Sequence, residues 1–168
     1  DSERPLLGER GGVTPDDFDG GNSPANAPSS VSEGAAPILT TSAGTQAVAR
    51  LKSSDPIFFA SFANAGAVVQ ALEELEPSSV TFLPMGLEAR EPAVEDDEAA
   101  RWMRDLLAGE TPDFSGVRDR LVACSGADRL RRLGQHDDLE WCTTLDSHIV
   151  VPVVRQGEPP RAVSFEAR

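Results

Sequence analysis

Lysine is almost missing from this 168-residue chain: Lys52 is the single one, and the remaining basic residues are arginines. With 15 basic against 28 acidic residues the formal charge is -13, so the clustered cationic excess that a nucleic-acid backbone demands is not there. No nucleic-acid partner is expected. Cysteine is scarce as well, since Cys124 and Cys142 are too few and too far apart for a zinc site of paired CxxC type, and no secretory hydrophobic segment precedes them. They read as reduced thiols of a cytoplasmic protein. No apolar run approaches the roughly 20 residues that cross a bilayer, which leaves no membrane partner to expect. There is no GxxxxGK[ST] phosphate loop, no GxGxxG after a strand and no GxSxG elbow, and His136 and His148 lack metal-ligand spacing. Nucleotide binding and serine hydrolysis lose their usual signatures.

What is present is ordinary for a folded protein, with 39% hydrophobic and 26% charged residues. A chain of this length buries enough surface to fold as one domain without disulfides or a structural metal. Residues 1–30 are rich in Gly, Pro, Asp, Asn and Ser, a composition that prefers turns and exposes backbone amides. Such a long loop region calls for a functional role or disorder. From residue 31 to 168 the pattern turns regular. Buried strands are expected at 37–41, 57–61, 79–84 and 149–154, the last pushed toward an edge by Pro152. Helices are expected at 45–52, 65–75, 95–108, 115–124, 127–133 and 137–145. Strand and helix alternating over short connections predict an α/β fold, three layers of α/β/α around a largely parallel or mixed sheet.

Several segments carry residues suited to chemistry. In Gly8-Glu9-Arg10-Gly11-Gly12 the glycines let the backbone approach a ligand and turn its amides inward. Arg10 offers a planar fork for phosphate or sulfonate oxygens, and Glu9 is suited to orienting that fork or to ligating a hard cation. A charged glycine turn is equally a common surface feature. Asp19, Asn22 and Ser23 lie in a turn that presents side-chain oxygens to a metal or amides to a phosphate, or else closes on itself as an Asx-turn. Thr41, Gly44 and Thr45, and then Asn64, occupy turns where expected strands pass into helices, the end of an α/β sheet where ligands bind. Helix capping accounts for each of these separately. Glu95 and Asp96 open a helix within a run of four acids, which serves a helix dipole or a magnesium ion.

Taken together, in order and spacing, these segments resemble the 2-phosphosulfolactate phosphatase (ComB) family. Its Gly-Glu-Arg-Gly-Gly loop is similar to Gly8–Gly12, and its Gly-Phe-Asp-x-Gly-Asn-Ser-Pro segment to Asp17–Pro24. Its Thr-Thr-Asn-Gly-Thr turn resembles Thr41–Thr45, and its Ser-x-x-Asn-Ala turn matches Ser61–Ala65. A Glu-Asp pair at a helix start resembles Glu95-Asp96, and a late Asp-x-x-x-Cys followed by Val-Pro is similar to Asp138–Cys142 and Val151-Pro152. Two departures stand out. Ala43 replaces the family's Asn, removing an amide that binds substrate or caps the turn, and nothing matches the family's opening strand with its Ile-Asp-Val-x-Arg-Ala-Thr type motif. The chain is therefore expected to lack that N-terminal segment of the domain.

The resemblance implies a ComB-like fold and hydrolysis of a small phosphorylated, sulfonated hydroxy acid with magnesium, a reaction of coenzyme M biosynthesis. It implies Glu9, Arg10, Asp19 and Glu95 as catalytic residues. Glu9 and Asp19, with Glu95 or Asp96, would hold the metal, and Gly11, Gly12, Asn22, Ser23, Thr41, Gly44, Thr45 and Asn64 would contact substrate. These residues are expected to converge on one cleft. A homo-oligomer is left open, and a non-catalytic module that keeps the fold and binds a small anion is the alternative.

Overall fold

The computed structural model describes residues 4–32, 34–51, 56–157 and 160–165. Six α-helices lie among those residues, named in chain order: α1 (Gly44–Arg50), α2 (Ala65–Leu75), α3 (Val94–Leu107), α4 (Phe114–Ala123), α5 (Ser125–Arg132) and α6 (His136–Cys142). In α2 the apolar residues Ala65, Val68, Val69 and Leu72 recur at helical spacing and are all buried. The helix stops where Glu76 turns left-handed, at φ 45°, and its amide returns to the carbonyls of Leu72 and Glu73. Pro77 follows and cannot extend it. Three acids, Glu95, Asp96 and Asp97, occupy the first turn of α3 and Arg104 the last, each sign matching its end of the helix dipole. Asp113 caps α4 by accepting the Ser115 amide.

These helices pack in series, α2 on α3, α3 on α4, α4 on α5 and α5 on α6. Phe62, Trp102 and Phe114 form the aromatic centre, with ring centroids 5.2–6.4 Å apart. Val68, Leu72, Met103, Val117 and Leu121 close around them. Within this core the Trp102 indole N–H has no hydrogen-bond partner among the described residues. A buried donor left unpaired costs free energy. Trp102→Phe is therefore expected to change stability by less than about 1.5 kcal/mol in urea unfolding, against about 3–5 kcal/mol for Trp102→Ala.

Strands are shorter than the sequence pattern suggests. Strand β1 (Leu6–Gly8) pairs in parallel with β2 (Ile38–Thr40), Leu6 opposite Ile38 and Gly8 opposite Thr40. On the other side of β1, Leu7 forms a parallel bridge to Gly20. A second ladder runs antiparallel between β3 (Pro152–Arg155) and β4 (Arg161–Ser164), and Phe58 adds an antiparallel bridge to Val153. The architecture is α/β, with small sheets.

The helices fall within three residues of their expected bounds, apart from Lys52, which lies outside the described residues. The strands depart further. The expected strand at 57–61 contributes one bridge, and 79–84 forms no strand and pairs with nothing among the described residues. Its β-prone composition is not sufficient, because strand stability comes from cross-strand neighbours. The expected buried strand at 37–41 is real but shallow. Its Ile38 and Leu39 remain 43% and 51% exposed, since β2 has a ladder partner on one side alone among the described residues. The described strands form two separate sheets rather than one.

Candidate active site

Because β1, β2 and the bridge at Gly20 run parallel, the chain leaves all three at the same edge. There the 9–13 turn, the segment after Gly20 and the 41–43 turn become neighbours, the position at which open α/β sheets hold ligands. Glu9 joins two of them. Its Oε1 accepts the Ser42 amide at 2.6 Å, and its Oε2 accepts the Gly12 amide at 2.7 Å and the Ser42 hydroxyl at 3.1 Å. The side chain is 9% exposed. Burial alone would raise its pKa, but the Ser42 amide, the Gly12 amide, the Ser42 hydroxyl and the nearby Arg129 guanidinium together hold it below the usual 4.5.

Arg10 leans the other way, onto the end of β2. Its Nη1 donates to the carbonyls of Glu9 and Thr40 at 2.6 and 3.2 Å, and its Nη2 to Thr40 Oγ1 at 3.0 Å. The guanidinium lies 5.6 Å from the centre of the Phe18 ring. Its Nε–Nη2 edge has no protein acceptor on Nε among the described residues and is exposed, so one bidentate face remains for an oxyanion. Arg129 of α5 approaches the same turn from the opposite direction. A Cβ on Gly12, where φ is +83°, would stand 3.0 Å from Arg129 Nη2. The positive φ is what favours glycine there, and the short approach shows how near that arginine comes to the turn.

The other expected residues have definite places. Thr41 and Thr45 close on each other: Thr45 Oγ1 accepts the Thr41 amide at 2.8 Å and donates to the Thr41 carbonyl at 3.2 Å. They shape the turn before α1. Its N-cap is Ala43, which makes no side-chain cap, and Gly44 faces open space. Asn22 is exposed just beyond the Gly20 bridge, on the shared edge. Asp19 instead accepts the Leu6 amide at 2.7 Å, at the opposite end of β1. Ser23 is buried and donates to Asp138 Oδ1 at 2.7 Å. Asn64 bonds Ser61, Phe59 and Val150, all its polar atoms being used within the second ladder's surroundings.

Glu95 and Asp96 also take up local partners. Glu95 Oε2 accepts the Cys124 thiol at 3.5 Å, and burial followed by the Glu95 charge pushes that thiol's pKa up, away from nucleophilic character. Asp96 accepts the Gly86 amide at 2.6 Å. Magnesium favours near-octahedral oxygen shells around one or two shared carboxylates. Glu9, Asp19, Glu95 and Asp96 bond four different segments, and no group of three or more His, Cys, Asp or Glu is arranged around an ion among the described residues. As placed, these carboxylates do not fit a common magnesium centre.

Sequence reasoning passed over Ser42, Arg129 and Asp138. Asp138, 3% exposed in α6, accepts both the Ser23 hydroxyl and the Ala25 amide and so ties the 20–26 loop to the helices. It stood inside a recognised motif, but nothing local revealed its partner 113 residues away. Arg129 was hidden within the basic end of α5, where Arg131 and Arg132 look the same.

Fold and geometry thus define an α/β protein whose sheet-end loops set two guanidinium groups around a glycine turn. Comparison with known proteins is specific. The family whose sequence model matches, over residues 1–157, is described as 2-phosphosulpholactate phosphatase. Among similar proteins, a probable 2-phosphosulfolactate phosphatase of Prochlorococcus marinus is 34% identical, the match covering 92% of this chain and 72% of the relative. One from Synechocystis sp. is 31% identical over 89% and 69%, and one from Trichormus variabilis 31% identical over 92% and 71%. The chain belongs to the 2-phosphosulpholactate phosphatase family, and with it to the phosphoric monoester hydrolases. No helix among the described residues is long and apolar enough to cross a membrane.

Proposed function

We propose that this protein is a cytoplasmic, magnesium-dependent phosphatase that hydrolyses 2-phosphosulfolactate, or a similar small phosphorylated hydroxy acid, to the hydroxy acid and phosphate. The observation that carries the proposal is the Gly11–Gly12 turn, pinned by the buried Glu9 and flanked by Arg10 and Arg129. In a chain of charge -13, a doubly anionic ester is repelled except where arginines collect. Phosphoryl transfer is served mainly by positioning and by neutralising the oxygens of the transferred group. Arg10 supplies a fork for two of those oxygens, Arg129 a second positive charge, and Glu9 the rigidity that holds the turn between them. Magnesium, when bound, would neutralise phosphate charge. It belongs to the proposal through the family resemblance, and no step is assigned to it. The proposal also places the small sheets within a single three-layer α/β/α domain of the family type.

A second reading, a non-catalytic small-anion-binding module, is favoured by the dispersed carboxylates and by Ala43 at the α1 N-cap. Phosphate release separates the two. With 2-phosphosulfolactate and millimolar magnesium, this chain and one extended upstream are assayed in parallel, each with and without EDTA. Release that EDTA abolishes is the expected result. Binding of sulfolactate with no release from either protein would establish the module instead.

A further inference from the structure

We propose that the cleft between α1 and the hairpin at residues 87–91 is a second anion subsite, which holds the carboxylate or sulfonate of a small hydroxy acid whose phosphate lies at the Arg10 turn. This deepens the phosphatase proposal and rests on it. The cleft has a volume of about 300 Å³ and is lined by Ser42, Gln46, Arg50, Glu88, Ala89 and Arg90. That volume stands at the lower limit of ordinary ligand pockets, the size a three-carbon acid needs. Two guanidiniums face one carboxylate there, an excess of positive charge on a strongly acidic protein. Neither Arg50 nor Arg90 makes an ion pair with a described residue.

The hairpin is held in an unfavourable shape. Leu87 and Glu91 bond each other's backbone, and the Arg90 amide donates to the Leu87 carbonyl at 3.0 Å across a two-residue turn. Both central residues, Glu88 and Ala89, are left-handed at φ 54°. That turn type is normally made by Asn-Gly or Gly-Gly, and side chains forced into it are strained. Strain of this kind persists where surrounding structure imposes it, and it concentrates at ligand sites. Asp96 accepts the Gly86 amide at the base of the turn, and a side chain on Gly86 itself would collide with the Glu91 carbonyl. Asp96 thus anchors the hairpin that carries Arg90.

The two subsites share a residue. Ser42 lines the cleft, and its amide and hydroxyl are the groups that fix Glu9, while its oxygen also accepts the Gly11 amide at 3.4 Å. Ser42 therefore stands between the Arg10 turn and the cleft, with the phosphate assigned to one side of it and the second anionic group to the other. A cavity of about 380 Å³ on the far side of α2, lined by Ala67, Ile149 and Phe165, is larger but shares no residue with these loops.

The test compares 2-phosphosulfolactate with phenyl phosphate, which has no second anionic group. In R50Q and R90Q the kcat/KM for phosphosulfolactate, relative to that for phenyl phosphate, should fall about tenfold through KM, the loss of one charge-assisted hydrogen bond. R90K should recover part of it. Phospholactate identifies the group held: an arginine effect that survives without the sulfonate assigns the carboxylate, and one that vanishes assigns the sulfonate. Equal losses on both esters, or none, would overturn the subsite. If the unaltered protein releases no phosphate from either ester, calorimetry with sulfolactate decides the matter separately. Binding weakened about tenfold by R90Q supports the subsite, and unchanged or undetectable binding in the parent rejects it. Circular dichroism of both variants confirms folding, as the two arginines are exposed.

Discussion

Glu9→Gln should lower stability by about 2–3 kcal/mol, although the two side chains have nearly the same shape, because the change reverses hydrogen-bond polarity at one of the two oxygens. The carboxylate accepts three donors: the amides of Ser42 and Gly12 and the Ser42 hydroxyl. A glutamine offers one carbonyl oxygen and an NH2 group, so its NH2 must face an amide that also donates. In a buried place that mismatch leaves a backbone N–H unsatisfied. For a chain of this size the loss corresponds to a melting point lower by roughly 4–12 °C. Activity should fall more than tenfold at the same time, because the Gly11–Gly12 turn loses its anchor to β2. A variant as stable and as active as the parent would show that Glu9 is not the tie between these loops.

The same residue sets a pH dependence. Folded, its carboxyl titrates below 4.5; unfolded, it titrates near that value. As pH falls, the unfolded chain takes up the proton first, so the stabilisation is complete above about pH 4.5 and disappears as pH drops through the lower folded-state value. Glu98, held down chiefly by the Arg120 guanidinium at 2.7 Å and also by Arg101, acts in the same window with the same sign. Urea unfolding between pH 3 and 6 should show a steeper loss in the parent than in Glu9→Gln, whose remaining slope Glu98 shares with Asp113, held down by its Ser115 hydrogen bonds.

Helices were legible in the sequence because their periodicity is local. Ala65, Val68, Val69 and Leu72 announce α2 without reference to anything else, and Pro77 marks its end. Strands depend on partners that spacing does not reveal. Ile38, Phe58 and Val80 sit in equally β-prone runs, yet one is in a ladder, one makes a single bridge and one pairs with nothing among the described residues. Composition identifies a candidate strand, and topology decides whether it is used.

Of the candidate site, the glycine turn, Arg10 and Glu9 could be picked out in the sequence because their residue types are unusual for a mere loop and their order matches a family. Glu9 was expected as a metal ligand or an orienter of Arg10. In the structure its backbone carbonyl accepts from the Arg10 guanidinium, while its carboxylate accepts the Ser42 and Gly12 amides. Carboxylates look alike in sequence whether they bind ions or amides. Arg129 and Asp138 could not be found by pattern, because each acts across the fold on a loop more than 100 residues earlier.

Arg10→Lys should reduce kcat/KM on 2-phosphosulfolactate by about ten- to a hundredfold, the equivalent of roughly 1.5–3 kcal/mol of lost charged hydrogen bonding. Lysine keeps the charge but is a point donor. It cannot bond the Thr40 carbonyl and hydroxyl together, as Nη1 and Nη2 do, while presenting a second edge to an oxyanion. It also loses the planar face that lies over Phe18 at 5.6 Å. Stability should fall by no more than about 1 kcal/mol, since the side chain is exposed and its partners remain accessible to water. Both quantities are to be measured with saturating magnesium, on the chain extended upstream as well as on this one. If the fork acts in the transition state, kcat falls; if it serves ground-state binding, KM alone rises. Either result keeps Arg10 at the phosphate. An unchanged kcat/KM removes it from the site, and a stability loss above about 2 kcal/mol with the rate per folded molecule intact makes it a brace between β1 and β2.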